Sequence, residues 1–131
     1  MGSDATPEQR KILLSDDEPD LVYATTLYLQ AEGYEVRSWP EPLKTVELAR
    51  SWQPDLIVTD VYKVPHMDGI EMTRRLKADE GTRDIPVIVL SASCGSPEGR
   101  QEALDAGAYV AIAKPFDPKD LLRLIDEALG R

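Results

Sequence analysis

The stretch Pro54–Gly69, PDLIVTDVYKVPHMDG, decides how the rest of the chain can fold. Its apolar run Leu56–Val58 lies between a Pro-Asp turn signal and the acidic residue Asp60, and short apolar runs between turn signals are typical of buried strands. A buried helix segment gives the same pattern over so few residues. In an open α/β sheet, ligands gather beyond the carboxyl ends of the strands, so a strand here would place Asp60 at a binding edge.

Similar apolar runs alternate with helical patterns along the chain. The predicted strands are Arg10–Ser15, Tyr34–Ser38, the central run, Ile85–Leu90 and Tyr109–Ala113. A helix is predicted after each strand, with proline or acidic start signals and, in most cases, a glycine or proline stop signal. Gly107 is expected to follow the fourth helix and Asp117 to cap the last one. The second helix is expected to turn its apolar residues inward, namely Leu43, Val46, Ala49 and Trp52. Five strands alternating with five helices indicate an α/β fold, a doubly wound (βα)5 parallel sheet covered on both faces. The second strand alternates in polarity and suits an edge, its place in the common order 2-1-3-4-5.

Length and charge limit the possible functions. A chain of 131 residues is the size of one domain, and the patternless Met1–Gln9 predicts a disordered tail before a domain spanning 10–131. The net charge of −9, from 24 acidic and 15 basic residues, argues against nucleic acid as a direct partner, because phosphate binding needs clustered Lys and Arg.

The cysteine and histidine content and the lack of membrane or export signals limit the possible functions further. Cys94 and His66 are single residues of their types, so a disulfide framework and a His/Cys zinc site are excluded. Both are interpreted as incidental loop residues. No apolar run has the length of a membrane span and no signal peptide is visible, so we expect a cytoplasmic protein without membrane contact.

Polar residues follow the predicted strands at one edge of the sheet. Asp16 and Asp17 follow the first strand, Asp60 the third, Ser91 the fourth and Lys114 the fifth. Three carboxylates brought together repel one another unless they are protonated or bridged by a cation, and oxygen-only ligands suit Mg²⁺ or Mn²⁺. A hydroxyl and an ammonium are suitable donors to a phosphoryl group. These residue types predict a phosphoryl-transfer site with an aspartate as acceptor.

Five motifs in order, ILLSDDEP, DLIVTD, MDG, VIVLSAS and AKPF, resemble the receiver domain of two-component response regulators. The resemblance covers nearly all of Arg10–Arg131 and implies the flavodoxin-like fold of the bacterial chemotaxis regulator. It implies that Asp60 is the phosphoacceptor and that Asp16, Asp17 and Asp60 hold Mg²⁺. It also implies that the backbone carbonyl of Tyr62 completes the protein's metal ligands.

The resemblance assigns two more residues and two partners. Ser91 occupies the family's Ser/Thr switch position, and Lys114 matches the lysine that precedes what is usually a cis proline. The implied donor is a sensor histidine kinase or a phosphotransfer protein, and the implied target is a downstream protein or output domain. The implied role is that of a signalling module, not an enzyme acting on other substrates.

Two departures from the family pattern affect these expectations. The loop after Asp60 has one extra residue, because Pro65 and Met67-Asp68-Gly69 come one position late. On the fifth strand Ala111 stands where the family often has an aromatic residue. Tyr109, two positions earlier, is expected to point to the same side of the sheet as Ala111. Since Ala111 has no ring to rotate, we expect the signal to pass through the loop Ala92–Pro97.

Three other functions fit the same fold. A haloacid-dehalogenase-type phosphatase needs a second acid two residues after the nucleophile, where this chain has Tyr62. A flavin or nucleotide carrier needs a phosphate-binding loop after the first strand, where Asp-Asp-Glu-Pro would repel phosphate. A degenerate receiver that only binds partners is disfavoured by the retained acids and Lys114.

The acidic run has a structural alternative as well. Taken alone, Asp16-Asp17-Glu18 also suits a capping cluster for the first helix.

Overall fold

The computed structural model describes residues 9–61 and 68–130, which form alternating strands and helices in chain order. The strands are β1 (Lys11–Ser15), β2 (Glu35–Ser38), β3 (Leu56–Asp60), β4 (Val87–Ser91) and β5 (Val110–Ala113). The helices are α1 (Pro19–Ala31), α2 (Pro42–Trp52), α3 (Gly69–Ala78), α4 (Pro97–Asp105) and α5 (Pro118–Leu129), with a 3-10 helix at Ala92–Gly95. Most of the predicted tail lies outside the described residues. The same is true of most of the loop after Asp60, which carries the extra residue.

The five strands make one parallel sheet in the order β2-β1-β3-β4-β5. This confirms the predicted doubly wound fold and the edge position of β2. The first two residues of β2 are half-buried and the last two exposed, whereas every residue of β3 and β4 is buried. The central stretch is therefore a strand and not a buried helix, because it pairs in parallel with β1 on one side and β4 on the other.

Alternate strand residues pack into two separate apolar layers. On one face, Leu13, Ile57 and Val89 belong to a cluster with residues of α2, α3 and α4. On the other face, Leu14 and Val58 belong to a cluster with residues of α1 and α5. These layers fix the strands in register, since a slip of one residue would turn every apolar side chain to the opposite layer.

Helix signals read from the sequence are largely confirmed. Asp117 caps α5 by accepting a hydrogen bond from the Lys119 backbone N–H at 2.9 Å. Gly107 follows α4 with a φ of 109°, a left-handed conformation that glycine adopts without a steric penalty. On α2, Val46 and Ala49 are buried as predicted and Trp52 packs partly against the core.

Leu43 is the wrong part of the α2 prediction, because its side chain is 52% exposed. It lies in the first turn of the helix, at an open cleft where Arg75 and Ala78 of α3 stand opposite. Helical spacing places a residue on the correct face but does not tell how far the neighbouring layer extends along the helix axis.

Two expectations near the fourth and fifth strands are also wrong. The segment after β4 begins as a 3-10 helix whose Cys94 is fully buried in the core, so this thiol is a packing residue and not an incidental loop residue. Tyr109 precedes β5, and its hydroxyl donates to the Glu127 carboxylate of α5 at 3.2 Å. Ala111 packs in the opposite layer, with α3 and α4. The alternation assumed for Tyr109 fails because the strand starts only at Val110.

Candidate functional site

The sheet register brings the predicted polar residues to one edge. Ser15 pairs with Thr59, so Asp16 and Asp60, the next residues of each chain segment, come level with each other. Ser91 ends β4 and pairs with Ala113, so Lys114 follows directly beyond the end of β5. Neighbouring parallel strands therefore deliver all of these groups to the same rim, as the sequence predicted.

Asp16, Asp17 and Asp60 form a compact acidic cluster. One carboxylate oxygen from each lies within 4.8 Å of the others. Asp16 and Asp60 are buried and Asp17 is exposed, so the cluster opens to solvent on one side. Hard oxygen ligands with access to water are the environment that Mg²⁺ prefers, because this ion usually keeps several of its waters. The donor set therefore fits a divalent cation.

Lys114 is the positive charge of the site. Its ammonium donates to Asp16 at 2.9 Å and to Glu18 at 2.7 Å, and lies 3.3 Å from an Asp60 oxygen. Burial alone would lower the pKa of Lys114, but hydrogen bonds to Glu18 and Asp16 and the charges of Asp60 and Asp16 outweigh burial and raise it. The side chain is only 15% exposed, so this ammonium is held charged at the rim.

Opposing effects act on the pKa of Asp60. Burial raises the pKa of its carboxyl, the neighbouring Asp16 raises it further, and Lys114 lowers it, with a net rise above the ordinary value. Burial and like charge thus outweigh a single ammonium. A divalent cation between the acids would favour the ionised form, since an opposite charge at close range lowers the pKa of a carboxyl group.

The capping interpretation of the acidic run is partly correct. Asp16 Oδ1 accepts a hydrogen bond from the Glu18 backbone N–H at 3.0 Å, while its Oδ2 accepts one from Lys114. One carboxylate therefore both fixes the turn into α1 and belongs to the site. The two functions are compatible because each uses a different oxygen.

Glu18 is a site residue that sequence reasoning missed. The acidic run suits a helix-capping role for Glu18, yet its carboxylate makes the shortest of the contacts to Lys114 and its side chain makes no cap hydrogen bond. The available signal was its position, the third acid in the run directly after the first strand. The contact itself joins residues 96 apart in sequence, which spacing along the chain does not reveal.

Ser91 and Gly69 complete the described surroundings. Ser91 is buried, and its backbone carbonyl accepts a hydrogen bond from the Lys114 N–H at 3.1 Å. The Lys114–Pro115 peptide bond is cis, as the resemblance implied. Gly69 begins α3 against the Asp60 backbone, where an added methyl group would collide with the Asp60 carbonyl oxygen. Tyr62, His66 and the residues between them lie outside the described residues, so the structure does not place the predicted Tyr62 carbonyl ligand.

Comparison with known proteins identifies the class that this fold and site define. The family described as "Response regulator receiver domain" matches residues 12–126. The chain belongs to this family, whose members are the receiver domains of two-component signal transduction.

Named relatives and solved structures agree with this assignment. The DNA-binding dual master transcriptional regulator RpaA of Synechocystis is 36% identical over 121 residues, which cover 92% of this chain and 49% of the relative. The chemotaxis response regulator CheY4 of Vibrio cholerae is 29% identical, with a TM-score of 0.84 and coverage of 93% of this chain and 100% of that chain. The chain spans about half the length of the curated relatives it matches.

A second similar structure bears on the acidic cluster. It is the receiver domain of a sensor histidine kinase from Pseudomonas aeruginosa, with a magnesium ion coordinated in its active-site cleft. This domain is 29% identical to the chain and has a TM-score of 0.84; the match covers 95% of this chain and 100% of that domain.

Among residues 9–61 and 68–130, no helix combines the length and apolar character needed to cross a bilayer.

Proposed function

We propose that Asp60 accepts a phosphoryl group from a phosphohistidine of a sensor histidine kinase or phosphotransfer protein. An Asp60 carboxylate oxygen attacks phosphorus, the bond from phosphorus to the histidine nitrogen breaks, and its electron pair stays on the imidazole. The product is an acyl phosphate. The observation that best supports this proposal is the position of Asp60 at one sheet edge, close to Lys114 and to the carboxylates of Asp16 and Asp17.

Each neighbour of Asp60 has a role in this proposal. Asp16, Asp17 and Asp60 hold Mg²⁺ or Mn²⁺, with the Tyr62 backbone carbonyl as a further ligand. The bound cation neutralises charge on the acids and on the phosphoryl oxygens. Lys114 donates to a phosphoryl oxygen, and the Ser91 hydroxyl donates to another. The domain catalyses only its own phosphorylation and dephosphorylation and is otherwise a signalling module, not an enzyme.

The proposal extends to partners and location. The domain, residues 10–131, works in the cytoplasm and passes its state to a downstream protein or to an output domain of the same protein. A net charge of −9 supports the view that this domain itself does not bind nucleic acid. The relative RpaA is named as DNA-binding, and about half of its length lies outside the match to this chain.

The first prediction tests the chemistry without a kinase. Incubation of the protein with acetyl phosphate and Mg²⁺ is expected to add one phosphoryl group, because the acids and Lys114 already supply a metal site and a phosphate ligand. Intact-mass spectrometry would detect the addition. Excess EDTA is expected to prevent it, and equal labelling with and without EDTA would contradict the proposed metal dependence.

The second prediction concerns the path of the signal. The 3-10 helix follows Ser91 directly, buries Cys94 in the core and packs against β5, where a Cβ built on Gly95 would lie 3.8 Å from the Ala113 Cβ. The Cys94 carbonyl also accepts a hydrogen bond from Arg100 of α4 at 3.1 Å. A shift of Ser91 toward a phosphoryl group therefore displaces the 3-10 helix and the start of α4 together.

Hydrogen exchange with and without beryllofluoride, a phosphoryl mimic, measures this path. We expect exchange rates to change in residues 92–99, with smaller changes in β5, because Ala111 has no ring that could change rotamer. Beryllofluoride with Mg²⁺ omitted is the matched control. Changes restricted to β5 would show that the segment after Ser91 does not carry the signal.

A further inference from the structure

Carboxylates surround the Lys114 ammonium in the described structure. A lysine ammonium has three N–H donors and no acceptor. Three carboxylates surround Lys114: Glu18 at 2.7 Å, Asp16 at 2.9 Å and Asp60 at 3.3 Å. Glu18 and Asp16 accept hydrogen bonds from the ammonium and Asp60 forms an ion pair with it, so a phosphoryl oxygen has to compete with these carboxylates for Lys114.

Glu18 is the carboxylate whose release costs the site least. Asp16 and Asp60 belong to the acidic cluster that fits a cation, and Glu18 does not. The Glu18 side chain is 60% exposed and makes no cap hydrogen bond to α1, so it can turn into water and be solvated there. The corresponding Asp16 carboxylate is buried and also fixes the turn into α1.

We propose that Glu18 is a positioning residue that holds Lys114 in a resting position and competes with the phosphoryl group for its ammonium. The inference rests on the proposed function, because it assumes that Lys114 receives a phosphoryl oxygen. Its consequence is that the free domain is less reactive than its acids and lysine alone would make it. Removing the Glu18 charge weakens its hold on Lys114, because a neutral amide oxygen is a poorer acceptor than a carboxylate, and Asp16 and Asp60 still orient the ammonium.

The test compares Glu18→Gln with Asp20→Asn. Asp20 is an exposed acid in the first turn of the same helix, so its replacement makes the same change in net charge near the site. With acetyl phosphate and Mg²⁺, Glu18→Gln is expected to lower the half-saturating donor concentration and to speed phosphorylation by about two- to fivefold, the range of an exposed ion pair. Asp20→Asn is expected to behave as the wild type.

Two further measurements separate positioning from a general structural effect. Calorimetric titration with beryllofluoride is expected to show tighter binding for Glu18→Gln, and the NMR resonance of the Lys114 ammonium nitrogen is expected to shift in the same variant. Asp20→Asn is expected to leave both unchanged. Urea unfolding of the two variants checks that their stabilities match.

The outcomes distinguish this inference from the proposed function. A wild-type protein that takes up no phosphate would overturn both. A wild-type protein that is phosphorylated, with Glu18→Gln equal to or slower than Asp20→Asn, would overturn the inference alone. An unmoved Lys114 resonance in Glu18→Gln would also overturn it, because the contact at 2.7 Å would then not exist in solution.

Discussion

Asp60→Asn is expected to abolish phosphorylation by acetyl phosphate, with no added mass after an incubation that labels the wild type fully. The amide has no carboxylate oxygen to attack phosphorus, and no other described acid combines burial, a contact with Lys114 and a position at the end of the central strand as Asp60 does. Asp20→Asn, a change of equal charge on α1, is the matched control and is expected to label normally. Undiminished labelling of Asp60→Asn would assign the acceptor to another residue.

The same substitution is expected to stabilise the protein when no divalent cation is present. Because the pKa of Asp60 is raised in the folded state, the folded protein binds this proton more tightly than the unfolded chain does. The free energy of unfolding therefore falls as the pH rises from the unfolded value, near 3.8, through the raised pKa, and it remains lowered at neutral pH. Asparagine removes this penalty.

With Mg²⁺ present, the wild type is expected to become more stable than Asp60→Asn. Binding to the folded state alone raises stability by mass action, and the wild type has the complete acidic cluster. Thermal melts at neutral pH would give the midpoints with EDTA and with Mg²⁺. A higher midpoint for the wild type in EDTA would contradict the destabilising effect inferred for the Asp60 carboxylate.

The strand order and the site rim could be predicted because both depend on features that are local in sequence. Short apolar runs, or alternation in the case of the second strand, marked the strands, and a parallel sheet places the residue after each strand at one edge. Asp16, Asp60, Ser91 and Lys114 were therefore assigned to the rim from their positions alone. The structure places all four there.

Features that depend on the third dimension could not be predicted in this way. The contact between Glu18 and Lys114 joins two ends of the chain, and neither residue carries a signal for the other. The exposure of Leu43 depends on where α3 stands relative to α2. Tyr109 lies one residue outside β5, so a small error in a strand boundary changed the predicted direction of its side chain.

Gly69→Ala is expected to destabilise the protein by about 1–3 kcal/mol, the usual cost of overpacking a well-packed interior. A methyl group at this position would meet the Asp60 carbonyl oxygen and crowd the Thr59 hydroxyl, and backbone atoms cannot turn aside as a flexible side chain can. Helix propensity alone predicts the opposite sign, because alanine in a helix is more stable than glycine by roughly 0.5–1 kcal/mol. The sign of the change therefore separates the two effects.

Gly81→Ala is the matched control for this substitution. Gly81 is exposed, and a Cβ there would lie 3.4 Å from the Asp79 carboxylate, a side-chain end that can move. Urea unfolding is expected to show a change within about 0.5 kcal/mol for this control. A Gly69→Ala protein as stable as the wild type would mean that α3 can shift away from β3 without cost.

The rate of phosphorylation provides a second test of the close approach between Gly69 and the Asp60 carbonyl. To accommodate the methyl group, either α3 or the Asp60 carbonyl must move, and movement of the carbonyl carries the Asp60 carboxylate away from Lys114 and the other acids. Phosphorylation by acetyl phosphate is therefore expected to slow in Gly69→Ala even at temperatures where the variant is fully folded. Normal phosphorylation in a destabilised but folded variant would show that the helix, and not the acceptor strand, yields to the added methyl group.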